Sequence, residues 1–262
     1  MTSDDTVPAP LRRLWRLPES SRLGRPATLG VDLVVTTAVE IADRDGLDGV
    51  TLPKVAKSLG FTGMSLYRYV GSKDELLALM GDHALGAPPA CLGAGDWREG
   101  LRAWARAQRV VYQQRPWLTR LPVTGPPSGP RRIAWMEAAL AILARTPLDW
   151  AHKLSALALI GGYVVQSVRQ ESEFTAHRAE GQGQADAERA WGRALAGLVD
   201  PGRFPQTARL LSSAMLEEQP ADPSDPAISD TAISDAAISD ADFSVGLELI
   251  LDGIATRIER AH

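Results

Sequence analysis

The chain has 262 residues, enough for one large domain or two small ones. With 45% hydrophobic and 23% charged residues it can bury a real core, and its Ala, Leu and Arg content with little period-two alternation predicts an all-α fold. The single cysteine, Cys91, excludes an intramolecular disulfide and a cysteine-rich zinc site, and a net charge of −4 argues at first against a nucleic-acid partner.

That sum hides an asymmetry. Residues 216–242 carry eight acids and no Lys or Arg, and without them the balance would be +4. The first thirty residues hold Arg12, Arg13, Arg16, Arg22 and Arg25 against Asp4, Asp5 and Glu19. A basic arm is a common footprint of nucleic-acid binding, although a solvated tail has the same composition. Residues 1–29 are therefore expected to be a flexible basic extension.

In chain order, Val31, Val34, Val35, Ala38, Ile41 and Ala42 recur at threes and fours, which predicts a helix over 31–45 that Gly46 ends. Thr51 is placed to cap a second helix, with Pro53 in its first turn and Val55, Ala56 and Leu59 on its apolar side. Gly60 breaks it. Thr62 is placed to cap a third short helix carrying Leu66, Tyr67 and Val70, and Gly71 stops that one. Ser72-Lys73-Asp74-Glu75 has the capping-box pattern, opening a helix over about 73–85.

Residues 86–95 and 122–130 are rich in Gly and Pro and predict loops on either side of a helix over 96–114. A further helix is expected over 131–145. Thr146-Pro147 reads as the cap and first position of a long helix reaching about Thr175, and another helix is expected over 185–217. Residues 220–241 contain PAISD, TAISD and AAISD, a five-residue repeat that suits neither helix nor strand, so a mobile acidic loop is expected there. Phe243, Leu247, Ile250, Leu251, Ile254 and Ile258 then share one face of a last helix over 242–260.

The segment TLPKVAKSLGFTGMSLYRYVGSKDELL, residues 51–77, has the helix-turn-helix pattern. Two short helices joined at Gly60 can lay one across a DNA backbone and the other in the major groove. A plain packing module has the same spacing, and geometry alone does not separate the two. The order Leu59-Gly60, Ser65-Leu66-Tyr67-Arg68-Tyr69-Val70, then Ser72-Lys73-Asp74-Glu75-Leu76-Leu77 resembles the DNA-binding domain of the tetracycline-repressor family over about residues 31–80. More weakly, residues 154–174 and 243–254 resemble the dimer-forming helices of that family's tetracycline-binding prototype.

The resemblance implies a DNA-binding domain over 30–80 and a ligand-binding and dimerisation domain over 81–262. It implies a homodimer on a double-stranded DNA operator of inverted-repeat form, released by a small-molecule effector. Thr51, Tyr67, Tyr69 and Lys73 match positions that touch phosphates, which fix register without reading sequence. Thr62, Gly63, Met64, Ser65 and Arg68 match the tip and exposed face of the recognition helix. Arg68 suits a bidentate pair with guanine and Met64 a thymine methyl. Where the prototype has base-reading Arg and Gln, this chain has Leu52 and Gly63, so its operator should differ.

For the effector, Trp104, Gln108, Trp117, Trp135, Met136 and Tyr163 are candidate ligand-lining residues, although aromatics at helical spacing more often form core. The prototype's drug-holding histidine and asparagine align with Gly162 and Trp104, and no histidine stands near 122–127. A bulky, largely apolar effector is expected rather than tetracycline with magnesium. No cofactor or metal is expected.

Two other classes fit less well. His83, His152, His177 and His262 are scattered, with no HExxH pattern, no glycine-rich phosphate loop and no GxSxG, so an enzyme is not expected. A structural DNA-packaging protein would not need the large helical remainder. No run of about 18 apolar residues is present, so no membrane span is expected. The acidic start MTSDDTVPAP does not read as a signal peptide, and a cytoplasmic location is expected.

Overall fold

The structure, a computed structural model, describes residues 7–17, 30–92, 95–123, 125–177, 184–212 and 231–261. Among them there is no strand, as the all-α reading requires. The helices are α1 (Ala9–Leu14), α2 (Val31–Asp45), α3 (Leu52–Ser58), α4 (Gly63–Val70), α5 (Lys73–Leu85), α6 (Trp97–Gln114), α7 (Pro130–Leu143), α8 (Trp150–His177), α9 (Gln184–Ala196), α10 (Pro205–Leu211) and α11 (Thr231–Arg260). The chain divides into two compact units, residues 1–169 with 250–262, and residues 170–249.

In the first unit one core joins α1 to α5. Val34, Val35, Ala38 and Ile41 of α2 meet Val55 and Ala56 of α3, Leu66 and Val70 of α4, and Leu76 and Met80 of α5. These are the residues at three-and-four spacing, so burying one stripe per helix builds the head. Trp117 and Leu118, in a short 3-10 turn over Pro116–Arg120, complete the same core. Polar bonds reinforce the contact. Trp117 Nε1 donates to Asp43 Oδ1 at 2.7 Å, Arg115 Nε reaches Asp43 at 3.1 Å, and Arg120 pairs with Asp48 at 3.1 Å.

Several expectations need correction. Within residues 1–29, Ala9–Leu14 is a helix, and Leu14 is buried in the core. The α8 cap is Asp149, whose Oδ1 accepts from the His152 N–H at 2.8 Å. Thr146 instead turns its hydroxyl onto Leu143 O at 2.8 Å. The helix expected over 185–217 is interrupted by Gly197, Pro201 and Gly202 into α9 and α10, with the Phe204 N–H closing the turn on Asp200 O, and residues 213–217 lie outside the described residues. Of the loop expected over 220–241, residues 231–241 are the start of α11, and residues 220–230 lie outside the described residues.

The second unit holds the end of α8, then α9, α10 and the first part of α11. Phe243 and Leu247 are its buried residues on α11, and Leu251 and Ile254 continue that stripe into the first unit. There Arg98 of α6 bonds Asp252 of α11 at 2.5 Å.

Candidate nucleic-acid interface

The helix-turn-helix is built by local chemistry. Thr51 Oγ1 accepts from the Lys54 N–H at 3.3 Å and starts α3. Gly60 stops it at φ +76°, a left-handed conformation that favours glycine. The Gly60 N–H donates to Lys57 O at 3.2 Å and the Phe61 N–H to Ala56 O at 2.9 Å, the two bonds of a Schellman stop. Thr62 precedes α4 with extended backbone, but its side chain does not cap a backbone N–H as expected, because its hydroxyl bonds that of Ser65 at 3.0 Å. At the far end Gly71 has φ +69°. Ser72 Oγ accepts from the Glu75 N–H at 3.0 Å and opens α5.

The faces of α4 are sharply different. Leu66 and Val70 are fully buried, whereas Met64 is 79% and Tyr67 47% exposed, with Arg68 exposed beside them. Thr51 and Thr62 are exposed at the starts of α3 and α4, and Lys73 at the first position of α5. Gly63 and Ser65 are half-buried. Tyr69 is also half-buried and packs on the core, so its ring is a support for the helix as much as a surface group. The structure thus places these residues on and around a single short helix whose outer side is polar and apolar by turns and carries a cation.

One further exposed cation was missed. Lys57 stands on the outer side of α3, a turn beyond Lys54. Lys54 is held by Asp45 at 2.8 Å, and Lys57 is the better placed of the two for a phosphate. The signal was in the sequence, in the i, i+3 spacing from Lys54 opposite the apolar Val55 and Ala56.

The ligand-lining candidates separate. Trp104 of α6 and Trp135 of α7 meet edge to face, with centroids 6.3 Å apart. Trp104 Nε1 donates to Trp135 O at 2.9 Å, and Trp135 Nε1 donates to Gly86 O, at the end of α5, at 3.1 Å. Gln108, one turn along α6, is buried. Tyr163 is half-buried on α8, and Met136 half-buried on α7. Trp117 lies apart from them: it is packed in the core formed by α1 to α5 and bonds Asp43.

The sequence did not reveal the joint between α5 and α7. Asp82 is 5% exposed, and its Oδ1 accepts from the N–H groups of Arg131 and Arg132, both at 3.0 Å. A carboxylate on the helix that leaves the head therefore caps the first turn of α7. Among the described residues no three His, Cys, Asp or Glu side chains gather as a metal site, and no helix is long and apolar enough to cross a membrane.

Comparison with known proteins agrees with this geometry. Residues 34–80 match the family described as bacterial regulatory proteins, tetR family, and residues 88–258 match the tetracyclin repressor-like C-terminal domain. The HTH-type transcriptional repressor DrrR1 of Streptomyces coeruleorubidus is 38% identical over 203 residues, covering 76% of this chain and 75% of that protein. An HTH-type transcriptional regulator of Saccharopolyspora erythraea is 33% identical, covering 73% and 81%. Among solved structures, Streptomyces coelicolor ActR in complex with actinorhodin superposes with a TM-score of 0.67 at 24% identity, covering 90% of this chain and all of that one, which speaks for the fold. With a helix-turn-helix whose recognition face is open and matches running through both halves, the chain belongs to the tetR family of bacterial transcriptional regulators.

Proposed function

We propose that this regulator is a repressor that grips an inverted-repeat operator as a two-fold dimer and releases it when a small molecule binds. The observation that carries the DNA side is the division of α4, with Leu66 and Val70 fully buried and Met64, Tyr67 and Arg68 turned outward. A free surface gains nothing from a methionine 79% exposed, whereas a thymine methyl gives it an apolar partner. Thr51, Lys57 and Lys73 are the phosphate contacts that set register.

The dimer reading rests on α8 and α11. Gly162 and Gly253 lie inside these helices, where glycine costs about 1 kcal/mol relative to alanine. In the single chain a Cβ at either would meet nothing within 4 Å, so their own chain does not need them small. Close approach of a second chain does. Leu159, Val245 and Leu249 are 60–69% exposed on the same helices and supply the apolar contact. Ile250 and Val165, on the same two helices, are half-buried within their own chain.

For the effector, the ring faces of Trp104 and Trp135 suit a bulky, largely apolar molecule, with Gln108 as the polar contact; their indole N–H groups already serve backbone carbonyls. ActR, of the same fold, holds actinorhodin, so that compound is a natural first probe. Through Asp82 and Gly86, α7 is tied to the last turn of α5 and its cap, and a shift of α7 re-aims the helix-turn-helix. Operator and effector then oppose each other by a reciprocal coupling, typically about 1–3 kcal/mol.

The test is selection of duplexes from a random pool, footprinting of the winner, then release by a compound panel that includes actinorhodin. The expected winner has half-sites one or more helical turns, roughly 34–36 Å, apart. A monomer protecting a single half-site would overturn the dimer reading, and failure to enrich any duplex the DNA reading.

A further inference from the structure

We propose that α1 is a strap that holds the recognition helix to the N-terminal end of α7, with Arg13 as its positioning residue for operator binding. This deepens the DNA-binding reading above and rests on it.

Four observations converge on α1 and the two residues that follow it. Leu14 is buried in the head core and Leu11 packs on it, so the helix is seated rather than solvated. Arg13 Nη1 reaches Glu75 Oε2 at 2.5 Å, with both side chains only about a quarter exposed. Trp15 Nε1 donates to Ser128 O at 2.8 Å, two residues before α7 begins. Arg16 Nε bonds Asp32 Oδ1 in the first turn of α2 at 2.6 Å.

The Arg13 contact bears on the recognition helix through Glu75. That carboxylate lies over Gly71, the residue that ends α4: a Cβ on Gly71 would stand 2.4 Å from Glu75 Oε1. In an ordinary capping box the third-position Glu turns back to the capping residue's N–H. Here Ser72 N–H goes to Val70 O, and Glu75 is drawn to Arg13 instead. Arg13 thus fixes the group that presses on the turn between α4 and α5.

The end of α1 is strained. Arg16 has φ +54°, the one non-glycine residue with positive φ among the described residues. Its N–H donates to Arg13 O and that of Leu17 to Arg12 O, a Schellman stop with arginine where glycine is usual. Such a conformation persists where surrounding contacts over-determine it, and here the guanidinium bonds Asp32 and Arg13 O, both at 2.6 Å. The strain sets the exit of α1 so that Trp15 faces the loop before α7. The strap therefore runs from Gly71 through Glu75, Arg13 and Trp15 to Ser128, beside the direct link made by Asp82.

The experiment uses the full-length protein and the duplex that it selects from a random pool. In R13Q the affinity falls about fivefold, as for loss of a partly exposed charged pair. The slope of log affinity against log salt stays unchanged, because no phosphate contact is lost, and R13K recovers most of the affinity. Hydrogen exchange supplies the second readout. Duplex binding slows exchange across residues 128–134 in the wild type, and this protection is reduced in R13Q and in W15F, which keeps the ring but loses the bond to Ser128. A salt slope lowered by about one per subunit, about two for the dimer, would make Arg13 a phosphate contact and overturn the proposal. So would unchanged affinity in R13Q, or protection of 128–134 that is equal in W15F and wild type. A wild-type protein that selects no duplex would instead overturn the DNA-binding reading itself, and the strap with it.

Discussion

Removing the Asp82 carboxylate should loosen α7 from α5, and the geometry sets the size of the effect. Asp82 accepts from two backbone N–H groups at 3.0 Å in a site only 5% exposed. Loss of a capping carboxylate costs about 1–2 kcal/mol, and a partly buried anion at a helix N-terminus adds up to about 2. These terms share the same bonds, so about 2–3 kcal/mol is expected for Asp82→Ala. For a chain of this size that lowers the melting temperature by roughly 5–10 °C. Gly129 offers an internal control. A Cβ there would lie 2.0 Å from Asp82 Oδ1, so Gly129→Ala must push the carboxylate off the helix end. Gly129 has φ −82°, which alanine adopts without strain, so the cost is steric: most of it falls on the carboxylate, and a close contact with the Asp82 Cβ at 3.0 Å adds the rest. Gly129→Ala should therefore cost about 2 kcal/mol alone and about half of that or less on top of Asp82→Ala, where only the Cβ contact remains. Denaturant unfolding of the four proteins at one concentration measures the coupling. Costs that add to within about 0.5 kcal/mol would refute the capping argument.

Other consequences are separately measurable. Arg68→Ala should weaken the selected operator by about 1–3 kcal/mol and blur one base pair per half-site while leaving random duplex unaffected, as competition binding would show. Lys73→Ala should weaken all duplexes alike and reduce the salt slope by about 0.9 per subunit, about 1.8 for the dimer. Leu249→Asp or Gly162→Leu should yield a folded monomer by light scattering, since both positions are open in the single chain; an intact dimer would move the interface elsewhere. Burial raises the Tyr112 phenol above its ordinary range, against the opposing charge of Arg132. The folded state then keeps a proton that the unfolded chain gives up near pH 10, so stability present below that pH is lost as pH rises through the folded value. Tyr112→Phe should flatten that alkaline fall in a pH series of unfolding curves.

The parts of the head that could be read in the sequence are those set by neighbours a few residues apart. Thr51, Gly60, Gly71 and Ser72 act on backbone within one turn, and the apolar stripe of α2 is a local period. α1 escaped such reading because six residues gain too little from propensity; docking of Leu14 makes the helix. In residues 231–241 the Ser and Asp content suggested a loop, yet extension of an existing helix does not repeat the cost of nucleation, and Ala-rich sequence continues into the apolar stripe from Phe243.

Trp117 and Trp104 show the harder limit. Both are tryptophans in or beside the same helical stretch, and their composition and spacing give no reason to separate them. What separates them is a partner far away in the chain: Asp43, 74 residues before Trp117, and the Trp135 carbonyl, 31 residues after Trp104. The same holds for Asp82 with Arg131 and Arg132, and for Arg13 with Glu75. Each of these bonds joins elements far apart in the chain, and each takes an ordinary-looking residue as its anchor. A repressor's reading of DNA is concentrated on one helix and therefore shows as a motif. Its response to a ligand depends on where that helix is held, which is a property of pairs distant in sequence. Coupling of this kind leaves no local pattern, so it is in these joints, more than on the recognition face, that regulators sharing one head can come to answer different signals.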